Sequence, residues 1–249
     1  MSIESAADWS GMRRAGRVAY LTLEALEQGV RVGASTAELD AVAARVFATH
    51  GAHSAPAMVY GFPGHVLISV NDEVVHGVPG PRRLERGDLV KLDVTVEKDG
   101  YVADAARTVI VESGTDIAQR LADCAKTAFA AALDVARAGT KVNEISRCVE
   151  REVRRCGFTV VRGLTGHGVG RTIHEPPAVP NHYDPWQPDV LTDGLVLTIE
   201  PIISAGSERT RHDRDGWTVR TSDGSLSAHY EHTLVITKDR PILLTGRAA

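Results

Sequence analysis

Five residues of the sequence carry reactive side chains in surroundings that are unusual for exposed polar groups. Four are acids and one is a histidine: Asp93, Asp104, His167, Glu200 and Glu231. The two aspartates fall within alternating strand-like runs, Glu200 ends the apolar run VLTI, and Glu231 precedes the run HTLVI. Strand interiors ordinarily exclude Asp, and a buried carboxylate is costly unless it is paired. These acids therefore require either a buried partner or a bound cation.

The two aspartates belong to one predicted β-hairpin. Its strands are KLDVTVE and YVADAARTV, and Asp99-Gly100 supplies the turn. If the loop has two residues, Thr95 pairs with Asp104, and Asp93 lies diagonally from Asp104 on the same face. A three-residue loop would separate the carboxylates, and an edge hairpin facing solvent would need no cation.

The histidine stands in the glycine-rich segment TGHGVGRTIHEPP, seven residues before His174. Glycines on both sides of His167 allow backbone to approach a bound group closely. Glu231 is flanked by His229 and His232. A buried structural pair could explain each acid alone, whereas the whole set favours a metal site.

The chemistry of the five donors indicates the kind of metal site. Two aspartates, two glutamates and one histidine suit divalent Mn, Fe, Co or Zn better than a thiolate-type site does. Four carboxylates carry a charge of about −4, which two divalent ions balance, and bridged ions about 3.5–4 Å apart serve hydrolytic chemistry. The sequence predicts two metal ions and a hydrolase.

Helical patterns alternate with strand-like runs along the chain. Helices are predicted over about 6–28, from Ser35 to Gly51, over about 115–138 and over 143–156, and Ser35 with Glu38 has capping-box spacing. The strand-like runs are Val66–Val70, Leu89–Glu97, Tyr101–Val111, Thr159–Arg162, Val196–Ile203, Trp217–Thr221 and His229–Ile236. This order predicts an α+β fold of two α/β halves with mostly antiparallel sheet.

The two helix pairs align at a constant offset of 106 residues. The matched pairs are Gly33 with Gly139, Glu38 with Glu144, Leu39 with Ile145, Arg45 with Arg151, Phe47 with Val153 and Gly51 with Gly157. The alignment indicates an internal duplication. Chance similarity of two amphipathic helices is the alternative.

Composition excludes several classes of protein. The 249 residues carry 28 Lys and Arg against 32 Asp and Glu, with no run of five like charges, so no nucleic acid binding is expected. Three cysteines without CxxC spacing indicate a reducing compartment rather than a disulfide framework. Neither a signal peptide nor a run of 18 apolar residues occurs, which predicts a cytoplasmic protein without a membrane anchor.

Several motifs together resemble those of type I methionine aminopeptidases of the short bacterial form. The resemblance covers nearly the whole chain, and its most specific segments are SVNDEVVHG (Ser69 to Gly77), KLDVTVEKDGYVAD (Lys91 to Asp104), GHGVGRTIHEPP (Gly166 to Pro177), LTIEP (Leu197 to Pro201) and WTVRTSDGSLSAHYEHTLVIT (Trp217 to Thr237). It implies the pita-bread fold, in which two pseudo-twofold-related halves share a curved sheet with helices on its outer face. We expect a single domain over 1–249, with halves at about 1–112 and 113–249.

The resemblance also implies roles for individual residues. The positions matching Asp93, Asp104, His167, Glu200 and Glu231 ligate two divalent ions, with Asp104 and Glu231 bridging. His76 contacts the substrate near the scissile bond, and His174 binds the peptide carbonyl and its developing oxyanion. Glu200 is expected to carry the proton of the nucleophile. An apolar methionine pocket is expected from Tyr60, Phe62, Leu67 and Trp217.

The implied activity is removal of the initiator methionine from nascent proteins when the second residue is small, with metal-bound water or hydroxide as nucleophile. This activity implies that the partners are methionyl peptides and nascent chains, with transient proximity to the ribosome. A monomer is expected. The alternatives are a proline-specific peptidase of the same fold and a catalytically inactive homologue that serves as a binding protein.

Two departures from the family pattern bear on the site. Ala103 and Ala105 flank Asp104, where the family commonly has glycine and a polar residue, which predicts a weaker hydrogen bond around this ligand. The segment from Tyr60 to Phe62 is one residue shorter between its rings than the usual pattern. All five ligand positions are nevertheless retained.

Overall fold

The computed structural model of the chain describes residues 1–247, so the last two residues of the predicted second half lie outside the described residues. Within the described part, the helices are α1 (Ala6–Gly29), α2 (Thr36–His50), α3 (Ala55–Tyr60), α4 (Asp116–Leu133) and α5 (Val142–Arg155). No helix in this part combines the length and apolar character that a membrane span needs.

The helix boundaries follow local capping. Ser35 caps α2 through the predicted capping box with Glu38, and Gly51 ends the helix at φ 57°. The predicted extension of α4 to Ala138 is wrong, because the backbone N–H of Ala138 bonds to the carbonyl of Thr237 instead of continuing the helix. The short helix α3 was not predicted.

The strands are β1 (His53–Ser54), β2 (Leu67–Val70), β3 (Glu73–Val75), β4 (Leu89–Lys98), β5 (Tyr101–Ile110), β6 (Thr159–Val160), β7 (Thr165–Gly168), β8 (Glu175–Pro180), β9 (Val196–Ile199), β10 (Ile202–Ser204), β11 (Thr210–His212), β12 (Val219–Thr221), β13 (Ser227–His229), β14 (Glu231–Val235) and β15 (Ile242–Leu243). The main sheet has the order β1-β4-β5-β14-β9-β7-β8, with β15 on β14 and β2 on β4. Two three-stranded sheets, β13-β10-β6 and β11-β12-β3, accompany it. The strand pairs are antiparallel, which confirms the predicted α+β class.

Two predicted strands are each divided between two sheets. The run Val196–Ile203 breaks at Glu200 and Pro201, because proline has no N–H to donate to a ladder. The run His229–Ile236 breaks at Tyr230, so His229 ends a strand of a small sheet while Glu231 begins a strand of the main sheet. Both breaks lie beside acids of the predicted metal site.

The helices cover one face of the main sheet and leave the other face to the site. Helix α1 packs on β4 and β5, and α4 packs on α5, on β5 and β9 of the main sheet and on β13 and β10 of a small sheet. On β4, Leu92, Val94 and Val96 join the core beneath α1. Because side chains alternate along a strand, Asp93 and Thr95 face the opposite side.

The predicted hairpin has the two-residue turn. Asp99 and Gly100 have φ values of 54° and 79°, as a type I′ turn requires. Thr95 is paired with Asp104, and Asp93 with Ala106, so the two carboxylates are diagonal neighbours on one face.

Two matched glycines of the helix pairs have the same local structure. Gly33 and Gly139, 106 residues apart, both have positive φ, and their N–H groups bond to the carbonyls of Leu84 and Leu191. The division of the whole chain into halves at about residue 112 stays a prediction.

Candidate metal centre and substrate cavity

Five neighbouring strands of the main sheet carry the five predicted metal ligands. Asp93 lies on β4, Asp104 on β5, Glu231 begins β14, Glu200 directly follows β9, and His167 lies on β7. Residues that are up to 138 positions apart in the chain are thereby brought to one place by strand order alone.

Strand register aligns three of the carboxylates across the sheet. Ala106 is paired with Asp93 on one side and with Glu231 on the other. The register between β14 and β9 then pairs the residue after Glu231 with the residue before Glu200. The small side chain of Ala106 leaves space in this row between the carboxylates.

His167 completes the group of predicted metal ligands. Nε2 of His167 lies 3.9 Å from Oδ2 of Asp104 and 3.7 Å from Oε2 of Glu200. The possible ligand atoms of Asp104, His167 and Glu231 lie within 4.8 Å of one another, and so do those of Glu200, His229 and Glu231. Glu231 belongs to both groups.

Polar atoms without partners indicate that the site fits a cation. Among the described residues, six buried side-chain N and O atoms lack a hydrogen-bond partner, and four of them are here: Oδ1 of Asp93, Oε1 of Glu231 and both ring nitrogens of His229. A buried acceptor without a partner costs about 1–3 kcal/mol. Divalent ions would bind the two carboxylate oxygens and remove that cost.

The raised pKa values of the acids also indicate that the site fits a cation. Burial, followed by the neighbouring carboxylates, raises the pKa of Asp93 and of Glu231 well above their ordinary values. Burial, reinforced by Asp104, also raises the pKa of Glu200 to about 8. Carboxylates held this closely repel one another unless cations lie between them.

Two threonines that the sequence analysis did not assign orient the ligands. The Thr95 hydroxyl donates to Oδ1 of Asp104 at 3.0 Å, and the Thr198 hydroxyl donates to Oε2 of Glu200 at 2.9 Å. Nδ1 of His167 donates to the carbonyl of Gly168 at 2.9 Å, which leaves Nε2 free to bind metal. The cross-strand pairing of Thr95 was the sequence signal for its role.

The family pattern suggested that Ala103 and Ala105 weaken the hydrogen bonding around Asp104, but both alanines lie on the other face of the strand. Ala103 and Ala105 are buried in the core on the helix-covered face. Their side chains therefore point away from the carboxylate of Asp104, which Thr95 supports from the opposite strand.

All eleven predicted site residues line one cavity of about 380 Å³. Phe62 and Leu67 are buried, and the Phe62 ring meets Trp217 edge-on with centroids 5.2 Å apart. The cavity wall also includes residues that the sequence did not assign: Pro56, Val75, Thr95, Gly163, Leu164, Thr165, Ile173, Ile202 and His229. The wall is aromatic and aliphatic near Trp217 and carboxylate-rich at the metal site.

The two non-ligand histidines lie on the cavity wall and keep contact with solvent. The His174 ring is 4.4 Å from that of His167 between centroids, and its Nδ1 is 2.7 Å from the Tyr60 hydroxyl. His76 has a φ of 60°, a conformation that non-glycine residues seldom adopt and that is often found at functional sites.

Comparison with known proteins identifies the class to which this fold and site belong. The sequence profile of metallopeptidase family M24 matches residues 10–238, and the chain belongs to that family. It is 41% identical over 247 residues to methionine aminopeptidase 2 of Bacillus subtilis strain 168, covering 98% of this chain and 99% of that protein. It is 40% identical over 251 residues to the methionine aminopeptidase of Escherichia coli K12, covering 99% and 94%. The predicted resemblance is confirmed.

Solved structures of other proteins have the same fold as this chain. The crystal structure of methionine aminopeptidase from Thermotoga maritima superposes with a TM-score of 0.96 at 32% identity, covering 99% of this chain and all of that one. Prolidase from Pyrococcus furiosus gives 0.79 at 22% identity, covering 98% of this chain and 65% of the prolidase, which shows a shared fold. The predicted pita-bread fold is confirmed.

Proposed function

We propose that this chain is a metal-dependent aminopeptidase that removes the N-terminal methionine from peptides and nascent proteins when the second residue is small. The observation that carries the proposal is the meeting of five ligand side chains from neighbouring strands at one end of a cavity whose other wall contains Phe62 and Trp217. The names of relatives about 40% identical over nearly the whole chain support the same activity.

The ligand set would hold two divalent ions, chosen from Co, Mn, Fe and Zn by availability. Asp93, Asp104, His167, Glu200 and Glu231 are the proposed ligands, with Asp104 and Glu231 shared. When bound, such ions polarise a carbonyl and make water a better nucleophile.

The remaining roles belong to groups of the chain itself. Glu200 accepts the proton of the attacking water at its carboxylate and passes it to the departing amine. His174 donates to the scissile carbonyl oxygen as negative charge develops there, while Tyr60 holds its Nδ1. His76 bonds to the substrate amide. Both histidines line the cavity beside the ligands.

Specificity is assigned to the apolar wall. The methionine side chain would contact Tyr60, Phe62, Leu67 and Trp217, since a thioether packs favourably against aromatic rings. The Phe62 and Trp217 rings are fixed against each other, so the pocket is largely formed before substrate binds.

The cellular setting is proposed from the substrate. Nascent chains imply transient proximity to the ribosome in the cytoplasm, without a need for direct nucleic acid binding or a membrane. The three cysteines are free thiols, as a reducing compartment favours. We also propose that the chain acts as a monomer and as one catalytic domain with repeat halves at about 1–112 and 113–249.

The test is turnover of Met-Ala, Met-Lys, Leu-Ala and Xaa-Pro peptides by chelator-stripped protein with Mn²⁺, Co²⁺, Fe²⁺ or Zn²⁺ added back. We expect cleavage of Met-Ala only after metal is restored, with much slower cleavage of the other three. Preference for Xaa-Pro would assign the chain to the proline-specific peptidases. Undiminished Met-Ala turnover by verified metal-free protein would contradict the metal dependence.

A further inference from the structure

His229 is a buried histidine at the metal centre that the resemblance does not include among the ligands. It ends strand β13, directly before the break that leads to Glu231. Its exposed fraction is 2%, it lines the cavity, and neither ring nitrogen has a hydrogen-bond partner among the described residues. A buried imidazole is costly in this state unless something binds it.

The backbone of His229 is held by neighbouring strands on both sides. The N–H of His229 donates to Oγ1 of Thr108 at 2.9 Å, and the same hydroxyl is 2.8 Å from the carbonyl of His229. On the other side, His229 is paired with Ile202 of β10. The backbone that carries the ring is therefore fixed on both sides and is not part of a flexible loop.

The distance between His229 and Glu231 fits two ligands of one ion better than it fits a hydrogen bond. Nε2 of His229 lies 3.6 Å from Oε2 of Glu231, beyond the usual N–H···O range of about 2.7–3.2 Å. Two donors about 2.0–2.2 Å from one tetrahedral ion are about 3.4 Å apart. His167 and Glu200, both proposed ligands, are separated by 3.7 Å in the same way.

We propose that His229 is a sixth protein ligand of the metal centre and binds one ion together with Glu231. His167 and Glu200 then bind the other ion, and Glu231 is shared between the two. Each ion has one imidazole ligand. This inference rests on the proposed metal centre and deepens it.

A nitrogen ligand at both ions has a consequence for metal choice. Imidazole suits Zn, Fe and related ions, whereas carboxylate and water suit Mn. Removing His229 should therefore weaken Co²⁺ binding at one position much more than Mn²⁺ binding.

The test measures Co²⁺ and Mn²⁺ binding to metal-stripped protein by calorimetry and by metal analysis after equilibrium dialysis. His229→Ala removes the imidazole, and His229→Gln retains a group that donates a hydrogen bond. The matched control is His50→Gln, which changes an exposed histidine in the last turn of α2. We expect two Co²⁺ in wild type, and at least a 100-fold loss for one of them in both His229 variants, with less than tenfold change for Mn²⁺. The control should match wild type.

A measurement on the wild-type protein removes any dependence on the folding of variants. In the proton NMR spectrum of Co²⁺-loaded protein, ring N–H signals of ligand histidines are displaced far from the normal range, and two are expected, from His167 and His229. A single displaced signal would overturn the proposal, and so would two-ion Co²⁺ binding by His229→Gln within threefold of wild type. The latter result would make His229 a hydrogen-bond partner of Glu231.

Failure of the proposed function has a different signature. If wild type binds no Co²⁺ and does not cleave Met-Ala, both the metal centre and this inference fail. If wild type binds two Co²⁺ and cleaves Met-Ala while the His229 variants bind both ions normally, only the sixth ligand is overturned.

Discussion

Thr95 and Asp104 face each other across the β4–β5 hairpin, and the Thr95 hydroxyl donates a 3.0 Å hydrogen bond to Oδ1 of Asp104. The pairing depends on the two-residue turn at Asp99 and Gly100, since one additional residue would shift the register. The bond occupies Oδ1 and leaves Oδ2, 3.9 Å from Nε2 of His167, toward the centre of the site.

Replacing Thr95 by valine should weaken metal binding. Valine keeps the shape but removes the hydroxyl, so Asp104 loses the bond that orients its carboxylate. Partners of metal ligands are typically worth 10–100-fold in affinity, and we expect a loss of about that size by calorimetry. Thr95→Ser, which keeps the hydroxyl, should remain within a few-fold of wild type. Equal affinity of the valine variant would show that Thr95 has no orienting role.

Replacing Asp104 by asparagine should lower Met-Ala turnover by more than about two orders of magnitude, because a shared carboxylate helps to hold both ions. Metal analysis of the purified variant should show fewer ions per chain. The control is Asp99→Asn in the exposed turn of the same hairpin, which should keep full activity. Wild-type turnover by Asp104→Asn would remove Asp104 from the ligand set.

Loss of His174 should act on the chemical step. A donor to the developing oxyanion contributes more in the transition state, so His174→Ala is expected to lower kcat about 10²–10³-fold with little change in KM or metal content. Tyr60→Phe removes the 2.7 Å contact with Nδ1 of His174. It should lower kcat by about tenfold, since one hydrogen bond is worth about 1 kcal/mol. Steady-state kinetics with metal analysis tests both. If the alanine variant loses metal instead, His174 is a ligand.

Replacing Trp217 by alanine should reduce selectivity for methionine. Its edge-on contact with Phe62 fixes the pocket wall, and without it the pocket is wider. An apolar pocket distinguishes one methylene by only about 1–3 kcal/mol, so wild type should accept norleucine moderately and reject charged first residues. The ratio of kcat/KM for Met-Ala and Leu-Ala should fall in the variant. An unchanged ratio would exclude Trp217 from the pocket.

The stability of metal-free protein should fall as pH rises. The pKa of Glu200 is about 8 in the folded protein against an ordinary value of 4.5. Below about pH 4.5 both states hold the proton. Between there and about pH 8 the unfolded chain releases it while the folded chain keeps it, so the free energy of unfolding decreases.

Urea unfolding of metal-free protein should therefore have a lower midpoint at pH 8 than at pH 7, because the raised pKa values of Asp93 and Glu231 act in the same direction as that of Glu200. The lowered pKa of Lys91, about 7, opposes them, and the lowered pKa of His229 does so mainly below its ordinary value of 6.5. Glu200→Gln should reduce this dependence, because the amide does not titrate. A midpoint that rises with pH would contradict the assignment of these acids as buried together.

The sequence by itself determined the chemistry and most of the local structure. Residue types specified an oxygen-rich ligand set, Asp99-Gly100 specified the hairpin turn, and Ser35 with Glu38 specified the start of α2. These features depend on short-range geometry, in which a turn type or a cap is fixed by a few neighbouring residues. The pairing of Thr95 with Asp104 followed from the turn.

Only the tertiary structure decided what depends on contacts between distant segments. The order of β4, β5, β14, β9 and β7 in the sheet brings the ligands together, and no local pattern encodes that order. The breaks at Pro201 and Tyr230 divide two apparently continuous strands between sheets, which places His229 beside Glu231 with a buried, unpartnered ring. Burial and the absence of a partner are properties of packing, so this histidine could be singled out only after the chain had folded.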